Sequence, residues 1–145
     1  MKAVLAAIML LVSVNAMALD ACMTGSFYDP EQEGFGINVE AHQGFTAAYF
    51  YTFDKNLRPI WFVMVGKEVL TMSVTAVVKD NDVFITKELD VGVAEIVPLA
   101  DGLIRFRYSL IAEYDVDRGA LVLCRGDHCE GDYLFRQLTI PIACK

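Results

Sequence analysis

Leu70, Met72, Val74, Ala76 and Val78 alternate with Thr71, Ser73 and Thr75, and the same two-residue beat recurs along the chain between turn residues. Side chains alternate faces in a strand and recur every 3.6 residues in a helix. No window keeps the helical period, so the chain reads as all-β. Phe35, Ile37 and Val39 oppose Gly36, Asn38 and Glu40. Ala47, Tyr49, Tyr51 and Phe53 oppose Thr46, Ala48, Phe50 and Thr52, a segment with apolar residues on both sides. Ile60–Val65 is apolar on both faces and carries the single tryptophan, Trp61, which predicts the most buried strand and Trp61 as core. Val83–Leu89 and Val91–Val97 read as two strands parted by Asp90; Leu103–Ala112 follows an Asp101-Gly102 hairpin signal. Ala120–Arg125 and Tyr133–Ile140 read as a final pair. Eight or nine short strands joined by short turns predict a small antiparallel up-and-down β-barrel, with a sandwich as the alternative.

The N-terminus reads differently. Lys2, the apolar run Ala3–Val14 and Ala16-Met17-Ala18 have the layout of a secretory signal peptide over residues 1–18. The run is too short to span a bilayer, which needs roughly 20 apolar residues. The remaining stretch, 19–145, is expected to form one β-domain in the periplasm or outside the cell, with no membrane span. Its 11 basic and 19 acidic side chains leave a net charge of −8. That balance argues against nucleic acid, which selects basic surfaces.

Four cysteines in an exported chain predict two disulfides. Cys124 and Cys129 flank only Arg-Gly-Asp-His, so they are expected to pair, leaving Cys22 to join Cys144. His42 and His128 are the only histidines. Asp127-His128-Cys129-Glu130 matches no zinc or calcium loop, so no metal or other cofactor is expected. Ser26, Ser73 and Ser109 sit in no nucleophile elbow. Glu31 and Glu33 lack any feature that would mark one as the acid of a glycosidase pair. Arg105, Arg107, Arg125 and Arg136 are expected to pair across strands with carboxylates.

Residues 25–40 concentrate the constraints. Gly25, Phe27, Tyr28, Asp29, Pro30, Gly34 and Gly36 follow the order Gly-x-aromatic-aromatic-Asp-Pro-x-x-x-Gly-x-Gly. With Phe50-Tyr51-Thr52-Phe53-Asp54 and Arg58-Pro59-Ile60-Trp61, this resembles an uncharacterised family of small exported bacterial β-domains. Phe27 stands where that pattern usually has tryptophan, Glu33 where it has serine, and Leu57 where it has a turn glycine. The last departure predicts that Asn56 takes the left-handed turn conformation. The opening Gly-x-aromatic also resembles the first strand of avidin-like barrels. The resemblance implies a fold and export, with no chemistry attached.

Physically, Asp29-Pro30 sets a turn, and Gly34 and Gly36 admit a ring or backbone against the strand. Packing of an aromatic corner accounts for that run. The same corner, Phe27, Tyr28, Asp29, Glu31, Glu33 and Phe35, is also the candidate binding surface. The expected function is a non-enzymatic binding or interaction protein whose partner is an unknown protein, a basic one among the candidates, or a small ligand. The alternatives are an inhibitor of a basic secreted hydrolase such as lysozyme, and a structural envelope component.

Overall fold

The computed structural model describes residues 19, 21–54, 56–80, 83–115 and 117–138. The expected signal segment 1–18 lies outside the described residues, and so does Cys144 with the expected Cys22–Cys144 bond.

The chain is all-β and antiparallel. The strands are β1 (Gly25–Tyr28), β2 (Gly36–His42), β3 (Phe45–Phe53), β4 (Pro59–Gly66), β5 (Leu70–Asp80), β6 (Val83–Pro98), β7 (Leu103–Leu110), β8 (Ala112–Asp115), β9 (Ala120–Leu123) and β10 (Glu130–Gln137). Eight of them form one sheet in the order β1-β10-β7-β6-β5-β4-β3-β2. The sheet is curled, and β1 pairs with β2 over four residues and with β10 over two. β8 and β9 form a separate two-stranded hairpin. Two short 3-10 turns, Ala21–Met23 and Asp127–Cys129, complete the described elements. Among the described residues no helix is long and apolar enough to cross a membrane.

One clean alternation and one tight loop set the facing of three strands. Ile37 and Val39 of β2 are buried. Gln43-Gly44 closes a two-residue hairpin, with His42 opposite Phe45, so Ile37 pairs with Phe50 and Val39 with Ala48. Directly paired residues share a face. Phe50 and Ala48 therefore point inward, and so do their β4 partners Phe62 and Met64. Tyr49, Tyr51 and Phe53 lie on the outer face of β3. Two expectations for β4 are overturned: Trp61, paired with Tyr51, is 58% exposed instead of core, and with Val65 also exposed β4 is not the most buried strand. Apolar residues on both faces had hidden which face is buried.

Aromatic rings fill much of the interior. Phe50 lies 4.8 Å from Phe106, 5.2 Å from Phe35 and 6.0 Å from Phe62, centroid to centroid. Phe106 continues to Phe135 at 5.8 Å. On β5, Leu70, Met72, Val74 and Ala76 are buried as the alternation predicts.

Three further expectations are corrected. Asp90 does not end a strand, because β6 runs unbroken through it. The register against β5 shifts there, from Met72–Gly92 to Ser73–Asp90, leaving Val91 as an extra, fully buried residue. Asp90 faces outward and accepts a 2.8 Å hydrogen bond from the Ser73 hydroxyl. Residues 120–125 do not pair with 133–140: β9 pairs with β8, while β10 pairs with β7 and β1. The Cys124–Cys129 disulfide is nevertheless formed, with Cα atoms 5.8 Å apart. Short spacing sufficed to bring the two together without a hairpin.

The third correction concerns the β3–β4 turn. Leu57, not Asn56, has the left-handed backbone, with φ of 60°. Its side chain is 81% exposed and contributes little packing. Left-handed φ costs an L-residue roughly 1–2 kcal/mol. Leu57→Gly is therefore expected to raise stability by about 1 kcal/mol, after allowing for the greater entropy of unfolded glycine. Chemical denaturation checks it, and a lower midpoint would contradict it.

The outer-face arginines behave as expected where the structure pairs them. Arg105 Nε donates to Asp132 at 2.7 Å, and Arg107 lies 2.5 Å from Glu95.

Candidate functional site

β4 and β5 pair only from Val63–Ser73 to Gly66–Leu70. Their other halves stay attached elsewhere: β4 to β3 from Pro59 onward, and β5 to β6 as far as Asp80. Pro59–Phe62 and Val74–Asp80 thus diverge without bonding to each other. The β6 bulge sits opposite the point where they part, and bulges sharpen local bend and twist. The result is a split in the wall of the curled sheet.

The β8–β9 hairpin closes over that split. Ile111 donates its N–H to the Val91 carbonyl at 2.8 Å, anchoring the start of the hairpin on β6. Tyr114 donates its hydroxyl to the Val77 carbonyl at 3.0 Å. This bond satisfies a carbonyl on the stretch of β5 that β4 does not pair. The space beneath is a cleft of about 1270 Å³. Tyr51, Phe53 and Trp61 form one wall, Val74–Val77 the other, and Tyr114, Arg118 and Gly119 the cover.

The aromatic wall is fixed by its backbone. Tyr51 and Trp61 are cross-strand partners with centroids 6.3 Å apart and rings at 64°. The Phe53 ring lies over Gly34, whose φ is 74°; a Cβ there would come 3.0 Å from the ring edge. Tyr51 is 40% exposed, so with Trp61 it presents ring surface beside the cleft.

The polar rim is largely paired. Asp54 accepts from the backbone N–H groups of Asn56 and Arg58 at 2.8 and 2.9 Å, and from Arg58 Nε at 2.7 Å. Partial burial pushes the Asp54 pKa up, but these hydrogen bonds and the Arg58 charge outweigh it and hold the carboxyl below its ordinary value. Arg58 also reaches Asp117 at 3.9 Å, across to the β8–β9 turn, and Arg118 lies 3.6 Å from Asp115. Among the described residues lining the cleft there is no serine, cysteine or histidine. The arrangement offers flat apolar contact and hydrogen bonding at a charge-balanced rim.

The corner expected from the sequence divides in two. Phe27 and Phe35 are 2% and 5% exposed and belong to the core, so they present nothing to a partner. Tyr28 and Asp29 are half-buried, and Glu31 and Glu33 are exposed. Asp29 Oδ1 accepts the Glu31 N–H at 2.9 Å, and the Asp29 N–H bonds the Phe35 carbonyl at 3.3 Å, which fixes the turn. Gly34, at the end of this turn, reaches the cleft beneath Phe53. The corner therefore borders the site without forming it.

Comparison of the chain with protein-family models, curated proteins and solved structures returned no match.

Tyr51 and Trp61 belong to the cleft but were missing from the candidate surface. Their signal was present in the tight Gln43-Gly44 loop, which carries the facing of β2 through to β4. Tyr114, Asp117 and Arg118 had no such signal, because only the folded hairpin brings them to β5.

Proposed function

We propose that the chain is an exported, non-enzymatic binding protein whose curled sheet acts as a small closed barrel with its ligand site in the β4–β5 split. The observation that carries this reading is the split itself: a cleft of about 1270 Å³ with Trp61 58% exposed at its lip and Tyr114 across it. An aromatic side chain held in the open by a rigid strand offers contact area at little ordering cost. Ligand sites are typically concave and mostly apolar, with a few placed polar groups. The paired rim favours a ligand with flat apolar faces over a strongly charged one. The signal-like N-terminus and the Cys124–Cys129 disulfide support a periplasmic or extracellular setting.

The exposed Glu31 and Glu33 beside the cleft support a second reading, inhibition of a basic secreted hydrolase. Undiminished activity of a basic lysozyme in the presence of excess protein removes it.

The first reading is tested with anilinonaphthalene sulfonate, a dye with a flat apolar naphthalene face and a single sulfonate. Because Trp61 is the single tryptophan, energy transfer from it reports dye bound to the domain, and the Trp61 variant tests whether the dye sits at the cleft. We expect saturable transfer in the wild type. Trp61→Ala is expected to weaken dye binding at least tenfold, read from the dye's own fluorescence, and to shift the unfolding midpoint little. Equal dye affinity in the two proteins would refute the cleft as the site.

A further inference from the structure

The Cys124–Cys129 bridge does not stand alone. His128 Nε2 lies 3.7 Å from Cys124 Sγ, 3.9 Å from Cys129 Sγ and 3.0 Å from Glu113 Oε2. The two sulfurs and the imidazole nitrogen all fall within 4.8 Å of one another. Glu113 comes from β8 and the other three from the 124–129 loop, so two separate segments converge here. Tyr108 donates its hydroxyl to the His128 carbonyl at 3.1 Å, holding the loop against β7.

These spacings suit a tetrahedral cation. With zinc roughly 2.3 Å from sulfur and 2.0 Å from nitrogen, tetrahedral S···N edges are about 3.5 Å, and N···O edges somewhat shorter. The His128 distances lie near those values. Only the sulfur–sulfur separation must grow, to about 3.8 Å, which requires the bond between them to be broken.

We infer that the reduced form of this loop is a site for a zinc-like divalent cation, held by Cys124, Cys129 and His128 with Glu113 beside the imidazole, and that the disulfide is its closed, metal-free form. A dithiol or phosphine supplies the two electrons that cleave the S–S bond, and two protons complete the thiols. The cation then displaces both protons, so two thiolates and a neutral imidazole hold it and a solvent ligand completes the tetrahedron. A small disulfide takes up the two electrons on reoxidation and leaves as two thiols, which expels the cation and restores the bridge. Soft thiolate and imidazole donors select zinc over calcium or magnesium. The site is separate from the β4–β5 cleft and does not depend on that reading.

Cobalt(II) is the probe, added to protein reduced by a phosphine. The expected result is one cobalt per chain with tetrahedral ligand-field bands and thiolate-to-cobalt charge transfer, and displacement by zinc. Oxidised protein is expected to show neither band. In Cys124→Ser/Cys129→Ser, which retains Cys22 and Cys144, the charge-transfer band is expected to vanish. His128→Ala keeps both cysteines, can be prepared oxidised and folded, and after reduction is expected to bind cobalt at least about tenfold more weakly. Far-UV circular dichroism follows the fold throughout. If reduction lowers the strand signal, cobalt is expected to restore it. A reduced wild type without these bands, or bands that survive in the double serine variant, overturns the inference.

Discussion

Phe50→Ala is expected to cost about 3–5 kcal/mol, enough to leave a domain of this size marginal or unfolded. Phe50 is fully buried on β3, where its ring meets Phe35, Phe62, Phe106 and Tyr108. It ties rings from both sides of the curled sheet, so its removal leaves a cavity that no one neighbour can fill. The cost combines lost transfer energy with that cavity. Urea unfolding measures it, with Trp61→Ala as the comparison. The two aromatics lie on adjacent strands, yet the exposed one is expected to cost far less. Equal losses for the two variants would mean that the facing of β3 and β4 is wrong.

Gly92→Ala is expected to cost about 3 kcal/mol, the upper end for overpacking. A Cβ on Gly92 would lie 2.2 Å from the Ser109 carbonyl oxygen and 2.9 Å from the Leu110 Cα. Both obstacles are backbone, so no side-chain rotation relieves the clash. Gly92 also stands beside the extra residue Val91, where the β5–β6 register shifts. Strand slippage there would carry Val91 out of the core. A lowered denaturation midpoint checks the prediction, and a reduced m-value would show that β6 had loosened its neighbours as well. A wild-type midpoint would contradict the close approach.

The fold class was legible wherever a strand had one apolar face. β2 and β5 read correctly because Ile37 and Val39, or Leu70 through Ala76, alternate with polar residues. β3 and β4 did not, because Tyr49, Tyr51 and Trp61 are as apolar as the residues behind them. Register decides that case, and register is carried by a loop two residues long. Asp90 read as punctuation because a bulge and a turn place the same residue types at a break in alternation. Cys124 and Cys129 could be paired from spacing alone, since four intervening residues leave little freedom.

Of the site, the sequence showed the Gly34 end and little more. Trp61 and Tyr114 are more than fifty positions apart in the chain. Their meeting depends on β4 leaving β5 and on where the β8–β9 hairpin docks, and neither is a local property. The acidic corner looked like a site because its aromatics and carboxylates are adjacent in sequence. Folding sends Phe27 and Phe35 inward and leaves Glu31 and Glu33 outside.

Entry of ligand at the β4–β5 split is tested by titrating isotope-labelled protein with anilinonaphthalene sulfonate and following amide and indole chemical shifts. Saturable changes are expected, concentrated on the Trp61 indole and on the amides of Tyr51, Val77 and Tyr114. Changes centred instead on the Asp29–Glu33 turn, or the absence of any saturable change, would contradict it.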